Sequence, residues 1–198
     1  MTKKRTVEDR IIDATLKCLE RDGWSDLQMD AIAKRARLPL AELLSRYSRK
    51  NDILAAFFRR IDAAVLAGCE AEPVEDGPAR ERLFDVLMRR FDELATYRGS
   101  LQALLPGVQS DPLLALFLLR STIESMRWML EAAGLSADGL MGEVRTRGLA
   151  VIWVAAFRMW LRDEPDMNKT MAELDRRLHQ AESILLRLSA NKSDRDQD

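Results

Sequence analysis

Residues 8–54, EDRIIDATLKCLERDGWSDLQMDAIAKRARLPLAELLSRYSRKNDIL, constrain the fold more than any other stretch. An amphipathic segment ends at Asp22-Gly23-Trp24. A short one runs from Leu27 to Ala36 through the pair Ile32-Ala33. A third begins near Pro39 and closes on Tyr47-Ser48-Arg49-Lys50. Three helices are expected, two of them about ten residues or fewer, joined by a tight turn at Arg37-Leu38-Pro39. Helices that short cannot bury enough surface to stand alone, so they serve to present something. What they present is cationic at both edges, which points to a helix-turn-helix reader of DNA.

The distribution of charge agrees. The chain of 198 residues has a net charge of −1. Residues 1–60 nevertheless hold 14 Lys and Arg against 9 Asp and Glu, and residues 61–198 hold 17 against 23. A basic first third on an acidic body suits a polyanion-facing head. Nearly half the residues are apolar, and no apolar run approaches the roughly 20 residues of a membrane span. The charged start has no apolar run behind it, so no signal peptide is expected. Two cysteines, Cys18 and Cys69, cannot make a disulfide framework. Cys18 shares a helical face with Ile11, Ala14 and Thr15 and is expected to be buried. These readings imply a cytoplasmic protein.

Catalysis finds little support. The single histidine, His179, lies in a charged stretch without Cys or His partners at metal spacing. There is no Gly-rich phosphate loop and no Gly-x-Ser-x-Gly signature. The expectation is a non-enzyme with no metal and no cofactor.

Periodicity predicts nine helices and no strands, at about 6–22, 27–36, 40–46, 50–69, 79–96, 99–107, 111–133, 139–162 and 167–189. Glu70 to Pro78, with two prolines, a glycine and four acids, is the best linker. The expected domains are a head over 1–52, a larger helical domain over 53–190, and a polar disordered tail over 191–198. The fourth helix, with Leu54, Phe57, Phe58, Ile61 and Val65 at helical spacing, is the expected lever between head and body.

The candidate DNA surface is Lys34, Arg35, Arg37, Arg46, Arg49 and Lys50, helped by the arm Lys3, Lys4 and Arg5. Phosphates need cations and amide donors without demanding an exact sequence. Tyr47 could donate to a phosphate or pack in the three-helix core. Leu40, Leu43 and Leu44 are expected in that core, which leaves Ala41, Glu42 and Ser45 exposed. Ser45 is the best polar reader, and Glu42 could accept from a cytosine amine.

The arrangement resembles the amino-terminal domain of the TetR family of bacterial transcription regulators. Ala14, Gly23, Ile32-Ala33 and Lys50 stand where that family's pattern asks, Tyr47 takes its Phe place, and Leu44 takes its Tyr place. Leu38-Pro39-Leu40-Ala41-Glu42 is more apolar than the family's usual start to the recognition helix. The resemblance implies an all-α TetR-like fold, a homodimer, and a double-stranded DNA partner released when a small apolar ligand, a lipid or an aromatic, enters the larger domain. A second resemblance is local: Trp160 to Leu178, with its D-x-x-x-T-x-x-x-LDRRL pattern, is similar to the carboxy-terminal segment of the COQ9 family. That likeness implies the alternative of a lipid- or isoprenoid-binding accessory protein of ubiquinone synthesis with little specific DNA binding.

Met and Trp are frequent in the larger domain and suit either an irregular core or an adaptable pocket. With the TetR resemblance, Phe91, Leu104, Phe117, Met126, Met129, Trp153 and Phe157 are the candidate ligand contacts. The apolar faces of the last two helices supply the candidate dimer interface: Ile152, Trp160, Met171, Leu174, Leu178, Ala181 and Leu185. The 3-4 steps of the last helix are those of a helix-pair seam.

Overall fold

The computed structural model describes residues 6–164 and 166–195, with side chains through Ile184. Among the described residues there are nine helices and no strand: α1 Val7–Asp26, α2 Met29–Ala36, α3 Leu40–Arg46, α4 Lys50–Ala71, α5 Ala79–Ala95, α6 Arg98–Ser110, α7 Pro112–Ala132, α8 Gly139–Trp160 and α9 Asn168–Arg195. All nine expected helices are present. None is long and apolar enough to cross a membrane among the described residues.

Local chemistry explains the boundaries. Thr6 caps α1: its hydroxyl accepts from Asp9 N at 3.1 Å, and the Asp9 carboxylate accepts from Thr6 N at 3.1 Å. This reciprocal box satisfies amides that a helix start otherwise leaves orphaned. At the other end Gly23 adopts φ 75 and breaks the helical path, a conformation open to glycine at little cost. The expected end of the first helix is thus a real bend, with one further turn beyond it. Pro106 lies inside α6, which continues to Ser110 and past the expected end at 107. The stretch expected as a linker covers the gap between α4 and α5, with both flanks inside one compact unit, so it joins two helices and not two units. The boundary expected at 52/53 falls within α4, and the expected tail begins within α9, whose helix reaches Arg195.

The chain forms two compact units. The first takes the described residues up to Ala64 together with Asp92–Ser125. Here α2 packs on α1 and α3, and α6 lies along α1. Its core is Ile11, Leu16, Leu19, Trp24, Ile32, Leu43, Ile53 and Phe57. A Cβ on Gly107 would sit 2.6 Å from the Trp24 Cβ, so the α6 backbone closes directly over that indole. Arg60 of α4 reaches Asp9 at 3.3 Å and Asp13 at 3.2 Å on α1, and the Tyr97 hydroxyl at 3.2 Å. Cys18 is buried, as its face of α1 predicts.

The second unit takes Val65–Phe91 and the described residues from Met126 onward. Here α8 packs along α9. Its interior is aromatic: Phe91 stacks on Trp153 at 4.5 Å between centroids, and Phe157 lies 5.9 Å from Trp153 and 5.5 Å from Trp160. Arg90 is buried beside this stack, its guanidinium 5.0 Å from the Trp153 ring centroid. Burial pushes that guanidinium down to about 9. At neutral pH it remains a cation, and the ring face is a favourable place for one.

Asp163 holds the turn between α8 and α9. Its carboxylate accepts from Thr170 N at 2.7 Å, Thr170 Oγ1 at 2.7 Å and Glu164 N at 2.9 Å. Burial pushes this carboxyl up, but the hydrogen bonds from Thr170 and Glu164 outweigh it and hold it below the usual range. Further along α9, Glu173 bridges Arg176 at 2.7 Å and Arg177 at 2.5 Å. The threonine and the paired arginines of the COQ9-like pattern therefore have structural partners in this chain.

Candidate nucleic-acid interface

The head presents α3 between two sets of cations. The helix has seven residues and one fully buried side chain, Leu43. Tyr47, four residues on, lies half-buried on the same stripe, and burial pushes its phenol up. One stripe is all that so short a helix needs to seat itself on α2. Leu40 and Leu44, which the sequence placed in the core, are instead 41% and 43% exposed. Their outward stripe runs beside that of Ala41 and Ser45, both exposed.

The turn before α3 is held from behind. Arg37 takes the left-handed conformation, φ 57 and ψ 49, and its N–H bonds back to Ala33 O and Lys34 O. Pro39, at φ −60 and ψ 142, starts α3. That turn puts Lys34, Arg35 and Arg37 on the surface before α3, with Arg46 exposed at its last position and Arg49 exposed beyond it. Among the described residues Arg35, Arg37 and Arg49 make no ion pair. Lys34 meets Asp30 at 3.1 Å, and that contact holds the Asp30 carboxyl below its usual range. Arg46 is engaged by Glu8 at 2.5 Å and by Glu42 at 3.7 Å.

The polar side chains of α3 face their own chain. Ser45 Oγ donates to Glu42 O at 2.8 Å, and Glu42 lies along Arg46. Lys50 departs from the expected surface set: its amine donates to Trp24 O at 2.6 Å and Leu27 O at 3.3 Å and lies 4.6 Å from the Trp24 ring centroid. Burial lowers its pKa. Lys50 ties the start of α4 to the bend after α1, so it acts on the fold of the head and not on its outer face. Lys3, Lys4 and Arg5 lie outside the described residues.

The candidate ligand contacts divide between the units. Phe91, Met126, Met129, Trp153 and Phe157 belong to the second unit and all but Phe157 are buried; Leu104 and Phe117 belong to the first. The candidate dimer contacts are corrected in part. Ile152, Trp160, Leu174 and Leu178 are buried within a single copy and so are not available to another. Met171 and Ala181 are half-buried, and the Leu185 side chain lies outside the described ones. The residues that α8 turns outward are Leu140, Met141, Val144, Val151 and Met159, with Leu140 85% and Val151 66% exposed. Periodicity singled out the apolar face of α8 that the protomer keeps for itself and passed over the exposed one. His179 is exposed.

No family model matches the chain. The Fatty acid metabolism regulator protein of Bacillus subtilis (strain 168) is 28% identical to it over 95 residues, 48% of this chain and 49% of the relative. The chain thus aligns with about half the length of that relative. Among solved structures, a TetR transcriptional regulator from Nitrosomonas europaea ATCC 19718 superposes with a TM-score of 0.68 at 24% identity, covering 88% of this chain and 97% of the other. A TetR transcriptional regulator from Rhodococcus sp. RHA1 gives 0.63 at 19%, covering 88% and 94%. These three proteins are regulators by name. The COQ9 resemblance has no support from these comparisons.

Proposed function

We propose that this chain, which has the all-α fold of TetR-family regulators, is a ligand-responsive, DNA-binding transcriptional regulator that acts as a cytoplasmic homodimer. The observation that carries the reading is the exposed α3 flanked by Lys34, Arg35 and Arg37 on one side and by Arg49 on the other, where Arg46 is paired with Glu8 and Glu42. Cations on both sides of a short protruding helix match the two phosphate walls of a major groove. The likeness to a regulator of fatty-acid metabolism favours an acyl chain as the effector, and the aromatic interior of the second unit, with Phe91 and Trp153, is chemistry that such a chain could enter. The response would run through α4, one continuous helix with Lys50–Ala64 in the first unit and Val65–Ala71 in the second. A displaced α4 would alter the spacing of two recognition helices, on which binding to paired half-sites depends.

The homodimer reading rests on the outer face of α8. Val144 and Val151 are exposed, and between them Gly148 has open space where a side chain would be. Such a stripe lets a second copy approach closely. Sedimentation should return a dimer that V144E with V151E converts to a monomer; a dimer that survives both changes would place the interface elsewhere.

The test of function is selection of binding sites from a random pool of duplex DNA, followed by filter binding at several salt concentrations. A regulator enriches a site made of two related halves and keeps its preference as salt rises. Reversing Arg35 and Arg37 to Glu should weaken binding at least about 100-fold, from two lost phosphate contacts and two new repulsions, with the melting temperature held. An unenriched pool and weak, salt-sensitive association would refute the reading.

A further inference from the structure

The recognition helix offers DNA an apolar surface where hydrogen-bonding groups would be expected. Leu40 and Leu44 stand one turn apart and are 41% and 43% exposed. Ala41 beside them is exposed too. The polar neighbours are engaged elsewhere: Ser45 donates into its own helix, and Glu42 and Arg46 lie along each other, with Arg46 also held by Glu8. Each leucine leaves about two fifths of its surface in water, and that part is free for a partner to cover. The flanking cations name the occupant as a polyanion, and duplex DNA has one apolar feature in its major groove, the C5-methyl of thymine.

We propose that Leu40 and Leu44, with Ala41, are the specificity-determining residues of this helix, and that they read the operator through thymine methyl groups. The proposal rests on the DNA-binding reading above and names what that surface selects. Side chains four apart on a helix are separated by roughly 5–6 Å at Cβ, and base pairs rise about 3.4 Å per step. The two leucines therefore meet methyls one or two steps apart on either strand. Each half-site contains at least two A·T pairs at that spacing, and hydrogen-bond donors on the bases contribute little to the choice.

The test replaces thymine by uracil in the selected operator. That substitution keeps base pairing and every groove donor and acceptor, and it removes only the methyl. Affinity should fall about four-fold for each contacted methyl, the equivalent of one buried CH₂ group, and roughly fifteen-fold for a half-site with two. L40A with L44A keeps Leu43, the buried anchor of α3, so it should still fold, checked by its helical circular dichroism, and should bind thymine and uracil probes alike with an unchanged salt slope. Site-specific binding that is indifferent to the methyls overturns this inference and leaves the regulator reading standing. A thymine preference that persists in the double variant removes the role from Leu40 and Leu44. A pool that yields no preferred site overturns both readings together.

Discussion

Arg35 and Arg37 of the first unit and Arg90 of the second put the same group to opposite uses. In the first, Arg35 and Arg37 stand in solvent at the edge of a short helix, while the core behind them is mainly aliphatic around one tryptophan. In the second, Arg90 lies inside, against the face of Trp153 in an aromatic stack. An exposed guanidinium keeps its hydration until a phosphate replaces it, so it can serve recognition. An enclosed one has already lost its water and takes its compensation from the protein. Lys50 shows that position along the chain does not decide between these roles: it follows Arg49 directly, yet its amine turns inward to Trp24 and Leu27. Surroundings, and not residue type, separate a contact surface from a fastening.

The contrast can be broken at its strongest point first. Trp24→Ala removes the indole that supports both Gly107 and Lys50 and should destabilise the first unit by about 3–5 kcal/mol in urea unfolding. A loss below about 1 kcal/mol would mean that the head does not depend on that anchor. In the second unit Asp163→Ala removes the acceptor for Thr170 and Glu164 in the α8–α9 turn and should cost about 2 kcal/mol near neutral pH. Because its native pKa is depressed, the contribution of Asp163 is fully present above the ordinary value of 3.8 and disappears as pH falls through the lower native one. Parent and variant should therefore converge in stability in strong acid; a constant gap would assign the loss to packing. The smallest effect sharpens the division inside the head. Lys50→Met should lower stability by about 1 kcal/mol and leave the salt slope of DNA binding unchanged, because its amine bonds backbone and not phosphate. A reduced slope would return Lys50 to the contact surface.

Most of the architecture is legible in the sequence because its punctuation is physical. Gly23 ends a helical path, Pro39 starts one, and the acid- and proline-rich stretch at 70–78 separates two others. The site is less legible because periodicity reports apolar spacing without saying which apolar face is covered. Leu40, Leu43 and Leu44 looked like one core stripe, and only the packing of α3 on α2 shows that Leu43 suffices. The same ambiguity left Ile152 and Trp160 of α8 open between core and dimer contact; they are inside, while Val144 and Val151, which the sequence reading did not single out, are outside. Lys50 was hidden for a different reason, since its partners are backbone carbonyls more than twenty residues away.

Arg37 carries a further consequence. A side chain in the left-handed region costs about 1 kcal/mol that glycine would avoid, yet the residue there is a long cation. Relaxing that corner and gripping a polyanion make opposing demands on one codon. A homologue selected only for heat resistance would be free to give up the charge, whereas one selected for tight operator occupancy would have to keep the strain.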